Sequence, residues 1–198
     1  MISNGSIKAQ AEGMGLTFAH LRAIMDVEAN GAGFFTDPKQ AGVQIPKVQF
    51  EPHVMYQRLV KNVSQAKADA AAREYPTLVS KKPGSYQSMS AENADMDRAA
   101  KLIDRVSALE AASWGAAQVM GYWWKDIGFP SIQAFVNAQY TDEGQLDTLC
   151  RFLKANPAII LAAKAQNWAE VARRYNGPNY AQNRYDTKLR DAFAKWSR

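Results

Sequence analysis

Apolar side chains recur at Phe18, Leu21, Ile24 and Met25, with Glu28 next near the same face, at the three-to-four-residue spacing of a helix with one buried stripe. Thr17 offers an N-cap hydroxyl and Gly31 a terminator, so the pattern predicts a helix running to about Ala29 with Glu28 in its last turn. The periodicity then lapses. Three glycines (Gly31, Gly33, Gly42), two prolines (Pro38, Pro46) and an alternation at Val48 and Phe50 predict loop and short strands up to Pro52. Helical spacing returns at His53 to Asn62 and Ser64 to Glu74, and Pro76 to Ser90 reads as a long surface loop, a lid or a merely mobile connection. From Ser90 an amphipathic helix is predicted to about Ala112 on Ala99, Leu102, Ile103, Val106 and Leu109. Ser131, Thr141, Asn156 with Pro157, and Asn167 signal further helix starts. The expected fold is mainly α, a single domain over residues 1–198 of many helices, with a small β element after the first long one.

Composition narrows the chemistry. With 47% hydrophobic and 22% charged residues the chain is that of an ordinary globule and not a disordered one. Its N-terminus lacks the apolar core of a signal peptide and no eighteen apolar residues run without a charge, so synthesis in the cytoplasm and no membrane span are expected. One cysteine, Cys150, and two histidines, His20 and His53, are too few for a disulfide or a His/Cys zinc site, and no cofactor is expected. The histidines are read as structural. The charge of +5 is uneven: from Arg151 onward ten bases stand against three acids, and before it fourteen bases face sixteen acids. A positive C-terminal quarter suits an anionic partner such as nucleic acid, lipid headgroups or an acidic polymer. Its bases are interrupted by Trp168, Tyr175, Phe193 and Trp196 at spacings that equally suit the wet face of packed helices.

No phosphate loop, dinucleotide fingerprint or nucleophile-elbow serine occurs, which leaves carboxylates as the candidate chemistry. Glu28 stands out because a helix C-terminus is the wrong end of the dipole for an anion and its neighbours Met25, Val27, Phe34 and Phe35 are apolar. Both effects favour the protonated form that general acid catalysis of glycoside cleavage requires. An exposed glutamate that merely ends a helix would have the same spacing. Glu51 follows the Val48–Phe50 alternation and projects from a strand end, and Asp37 competes with it for the role of a second carboxylate. Aromatic residues cluster at Trp114, Tyr122, Trp123 and Trp124, and again at Trp168, Tyr175, Tyr180 and Tyr185, as sugar platforms or as core.

Taken in order, Val27 to Phe34, Val48 to His53, Ser113 to Gly121, Tyr175 to Tyr180 and Tyr185 to Leu189 resemble the N-acetylmuramidase family of bacteriophage endolysins, over most of residues 10–198. The resemblance implies a lysozyme-like fold and cleavage of the β-1,4 bond between N-acetylmuramic acid and N-acetylglucosamine in peptidoglycan glycan strands. By its position Glu28 matches the family's general acid. Glu51 matches the glutamate of the Phe-Glu-x-His segment, and its separation from Glu28 is similar to that of the acid pair in family 19 chitinases, which makes it a base. Ser113 and Gln118 match the Ser-x-Gly-x-x-Gln motif that lines the sugar cleft, and Tyr175 and Asn176 match a turn that approaches the acid. The expected setting is a monomer made in the host cytoplasm that acts in the periplasm after release, with the basic quarter touching anionic lipid or lipopolysaccharide and no nucleic acid bound. Many relatives carry a peptidoglycan-binding module beside the catalytic domain, and none is expected within these 198 residues. Two rival readings remain: a lytic transglycosylase that uses Glu28 alone, and a non-catalytic protein binding the cell wall or another anionic polymer.

Overall fold

A computed structural model describes residues 2–29, 33–84 and 88–198, and for Glu28, Ala29 and Met89 it describes the backbone alone. The chain opens with α1 (Asn4–Glu12), capped by Ser3, whose hydroxyl accepts the Ser6 N–H at 3.0 Å. Only Ile7 and Ala11 mark its buried face, too few for the periodicity to announce it. Next comes α2 (Phe18–Ala29), the helix expected after Thr17. The Thr17 N–H donates to His20 Nδ1 at 3.2 Å, the reciprocal arm of a capping box with histidine in the third position. Gly31, its expected terminator, lies outside the described residues.

β1 (Phe34–Thr36) and β2 (Gln44–Pro46) form an antiparallel hairpin, and β3 (Val48–Phe50) follows after a single residue, Lys47. Two helices, α3 (Pro52–Asn62) and α4 (Gln65–Glu74), stand where the pattern puts them. The expected surface loop after α4 is anchored over its first half. Leu78 and Val79 are fully buried, the Ser80 N–H donates to the Pro52 carbonyl at 3.0 Å, and Lys81 lies 2.7 Å from Asp69.

The helix expected to run to Ala112 is instead two helices and a strand. α5 (Met89–Leu102) stops and α6 (Arg105–Glu110) starts anew because the Asp104 carboxylate accepts the Ser107 N–H at 2.7 Å as an N-cap. Leu102 and Val106 consequently point into solvent and not along a continuous buried stripe. β4 (Ala112–Trp114) and β5 (Val119–Met120) then pair antiparallel with β3 in the order β3-β4-β5, which sets Gln49 beside Ser113 and Ser113 beside Met120. The small β element after α2 is therefore completed by strands from far along the chain. Its other edge is closed by α5, where the buried Glu92 carboxylate accepts the Phe50 N–H at 3.1 Å.

The remainder is helical: α7 (Ile132–Ala138), α8 (Asp142–Ala155), α9 (Pro157–Lys164), α10 (Trp168–Asn176) and α11 (Tyr185–Trp196). Ser131, Thr141 and Asn167 cap as expected, whereas Asn156 turns back to donate to the Phe152 carbonyl at 2.8 Å and leaves Pro157 alone to open α9. Leu21 and Ile24 of α2, Phe50, Met55, Leu59, Phe135, Leu149 and Leu153 meet in one apolar core. Across α2 lies α11: Leu189 is buried, Phe193 stacks on His20 with ring centres 4.5 Å apart, and Trp196 donates to Asp26 at 2.7 Å. Among the described residues no helix is long and apolar enough to cross a membrane.

Candidate active site

In the β3-β4-β5 sheet, side chains alternate between two faces. Val48, Phe50, Ala112, Trp114 and Val119 face the core, and Gln49, Ser113 and Met120 share the opposite face. That second face is the floor of a cleft of about 370 Å³. Val27, in the last turn of α2, forms one wall, and the C-terminal end of α10 contributes Tyr175 and Asn176. Lys47, Gln118, Tyr185 and Lys188 complete the lining.

Ser113 and Gln118 are locked together. The Ser113 hydroxyl donates to Gln118 Oε1 at 2.9 Å, and Gln118 Nε2 donates to the Gly115 carbonyl at 2.9 Å. The motif's glycine has a steric origin: Gly115 sits at φ +67°, and a Cβ there would lie 2.8 Å from the Gln145 side chain and 3.0 Å from Gln139. Gln118 itself takes a positive φ of 48°, unusual for a residue with a side chain, and its two hydrogen bonds hold it there. Tyr175 is fixed by its hydroxyl, which donates to the Ala117 carbonyl at 2.8 Å, and by an edge contact with Phe152 at 5.3 Å.

Beneath this loop lies a residue that sequence reasoning missed. Gln145 of α8, 2% exposed, accepts the Ala116 N–H at 2.7 Å and donates to the carbonyls of Gly33 at 3.1 Å and Gln139 at 2.8 Å. One side chain thereby ties the chain just after α2 to the Ser113–Gln118 loop. Gly33 has no room for a side chain, because a Cβ would stand 2.1 Å from Gln145 Oε1. The available signal was a glutamine on the apolar stripe of α8, in line with Leu149 and Phe152.

Ser113 and Gln118 from one region of the sequence and Tyr175 and Asn176 from another thus line one cleft with Val27, the residue before Glu28. The backbone of Glu28 is in the last turn of α2 as expected, and its side chain lies outside the described residues. Glu51 is not part of the cleft lining. It follows Gln49 on the same side of the strand path, accepts a hydrogen bond from Gln49 Nε2 at 3.2 Å, and has His53 Nδ1 at 3.4 Å from its other oxygen. Asp37 belongs elsewhere: it turns the β1–β2 hairpin, takes the Lys39 N–H at 2.8 Å, and lines a different pocket with Tyr140, Met96 and Asp97.

The aromatic clusters divide between core and site. Trp114 is buried with its indole N–H on the Leu109 carbonyl at 3.1 Å, and Trp168 packs on Phe193. Trp124 donates at 2.8 Å to Glu110, a buried carboxylate that also receives Arg58 at 2.8 Å and Asn62 at 2.7 Å. Only Tyr175 and Tyr185 of those clusters reach the cleft. His20, pressed between Trp168 and Phe193, has its pKa lowered by burial, an effect only partly offset by the Ala163 carbonyl.

A search of the curated proteins finds no match. Among solved structures, the crystal structure of the Burkholderia AP3 phage endolysin aligns with a TM-score of 0.86 at 37% identity, over 99% of this chain and 71% of that one. The expected lysozyme-like, mainly helical architecture is the one observed. The family model for N-acetylmuramidase matches residues 17–197, and the chain belongs to that family.

Proposed function

We propose that this protein hydrolyses the β-1,4 bond between N-acetylmuramic acid and N-acetylglucosamine in peptidoglycan, with Glu28 as the general acid and the whole chain serving as one catalytic domain. The observation that carries the reading is the cleft itself, polar and open, with Val27 in its wall and Ser113, Gln118, Tyr175 and Asn176 around it. A carboxyl group at the C-terminal end of α2 is disfavoured as an anion by the helix dipole, which suits a proton donor to the glycosidic oxygen. As that oxygen leaves, positive charge develops on the sugar, and hydrolysis needs a second carboxylate to activate water or capture the sugar. Glu51, which follows the floor residue Gln49 and accepts its Nε2 hydrogen bond, is the candidate for that role.

Purified protein is expected to clear peptidoglycan suspensions and release reducing ends. Glu28→Gln should lower the rate by about 10²- to 10⁴-fold while leaving the thermal transition in place. A folded Glu28→Gln protein with near wild-type activity would overturn the assignment.

One observation favours a second reading: no described residue lining the cleft is a carboxylate, Glu51 included. In a lytic transglycosylase Glu28 would act alone, first giving its proton to the departing glycosidic oxygen and then, as a carboxylate, taking one from the muramic acid's own hydroxyl as that oxygen bonds to the anomeric carbon. Mass spectrometry of the released muropeptides separates the two, since anhydro-muramic ends mark transglycosylation. Glu51→Gln should abolish hydrolysis and spare transglycosylation.

A further inference from the structure

Two ammonium groups line the cleft. Lys47 occupies the single-residue link between β2 and β3 and is fixed from both sides by its backbone: its N–H donates to the Gly33 carbonyl at 2.9 Å and its carbonyl accepts the Gly115 N–H at 2.8 Å. Lys188 projects from the first turn of α11, its Nζ 5.3 Å from the centre of the Tyr185 ring. Elsewhere the bases are commonly neutralised, as in Lys39 with Asp97, Lys81 with Asp69, Arg58 with Glu110, and Arg173 and Arg174 with Glu170. Among the described residues neither Lys47 nor Lys188 has an ion-pair partner, and no described lining residue is acidic. Among the described residues, the cleft therefore presents two positive charges and no negative one, although a neutral polysaccharide would call for neither.

Resting on the glycan-binding reading above, we propose that Lys47 and Lys188 bind carboxylates of the lactyl-peptide substituent, so that the cleft selects the charged muramic acid strand over a neutral β-1,4 glycan. The chemistry fits the repeat. Every second sugar bears a lactyl ether, ending in a free carboxylate or extended by a peptide that carries carboxylates, and the sugars between are neutral. The two β-1,4 bonds of the repeat differ in the side on which the charged sugar lies. Cations held at set places in the lining fix the register and so decide which bond meets the acid at the end of α2.

The test compares kcat/KM on solubilised glycan strands with native carboxylates and on the same strands amidated through carbodiimide and ammonium. The enzymes are wild type, Lys47→Gln/Lys188→Gln and Lys47→Arg/Lys188→Arg. Wild type is expected to prefer the native strands by about tenfold, the scale of one charge-assisted hydrogen bond. That preference should collapse toward parity in the glutamine pair and return in the arginine pair, and added salt should erode it in wild type. An unchanged preference in the glutamine pair would overturn the proposal. So would an equal fall on both substrates, which would mean that the ammonium groups act only through the acid's own titration. A wild type that cleaves neither substrate would overturn the glycan reading itself, a failure distinct from the other two.

Discussion

Gln145 does more for the cleft than any residue that touches it. Its amide supplies one acceptor and two donors to three backbone groups, from Gly33, Ala116 and Gln139. Gln145→Glu keeps size and shape but turns an oxygen toward two carbonyls, leaving both without a donor beside a buried charge. A buried polar group without a partner costs about 1–3 kcal/mol, so this substitution should destabilise by about 2–4 kcal/mol in urea unfolding. Gln145→Met, equal in length and uncharged, should lose less stability, while both variants loosen the 115–118 loop and raise KM. The four cleft residues Ser113, Gln118, Tyr175 and Asn176 were legible because motif and spacing are properties of the chain. Lys47 and Lys188 were not, because an isolated lysine in sequence looks the same on a wet surface as in a groove. Gln145 left only the faint mark of an amide among leucines. Glu51 shows the other limit: strand alternation predicts which side it takes, but not that its carboxylate bonds Gln49 and stays out of the cleft lining.

Between elements, the junction of α3, α6 and the segment after β5 is held by the buried Glu110 and its donors Arg58, Asn62 and Trp124. Removing one partner of such a pair strands the other charge, so Arg58→Ala is expected to cost about 3–5 kcal/mol, read from chemical denaturation. Asp104→Ala, which removes the cap at the start of α6, should cost about 1 kcal/mol. Helix boundaries with side-chain caps were readable where a hydroxyl or amide preceded an apolar stripe, as at Ser131, Thr141 and Asn167. Asp104 went unread because the apolar spacing on either side of it continues in phase, and Leu102 and Val106 mimic a stripe they do not join. β4 and β5, three and two residues long, are too short for a period-two signal, and the alanines around them favour helix. Their pairing with β3 is decided by contacts some sixty residues apart in sequence, which no local pattern encodes.

Over the whole molecule, pH acts through a few defined groups. His20 is buried with its pKa below the usual histidine value, so the unfolded chain takes up a proton on this ring at a higher pH than the folded one does. Stability should therefore fall as pH drops below about 6.5 toward the folded value. His20→Gln should flatten that part of a melting-temperature profile. Asp69, held at about 2 chiefly by Lys81 with Gln65 and Tyr56, and Glu170, held at about 2 chiefly by Arg173, add stability above the ordinary carboxylate range that is lost on further acidification. The Cys150 thiol is buried and pushed up to about 12, so a thiol reagent at neutral pH should label it only as the fold opens. The positive C-terminal quarter is in part a network of local pairs, with Arg151 on Asp147, Arg173 and Arg174 on Glu170, and Arg190 on Asp191. That arrangement accounts for bases on the wet face of packed helices without a partner. Anionic lipid contact through this face remains a proposal, checked by co-sedimentation with anionic vesicles with and without salt.

The last helix, α11, closes over α2, and Trp196 reaches back across 170 positions of sequence to Asp26. A ribosome must therefore have released the chain as far as Trp196 before the segment bearing Glu28 is clamped, and as far as α11 before Tyr185 and Lys188 reach their places. Nascent chains that stop short of residue 185 lack Tyr185 and Lys188 and so have only part of the cleft, which makes the site one of the last features of this fold to be completed during synthesis.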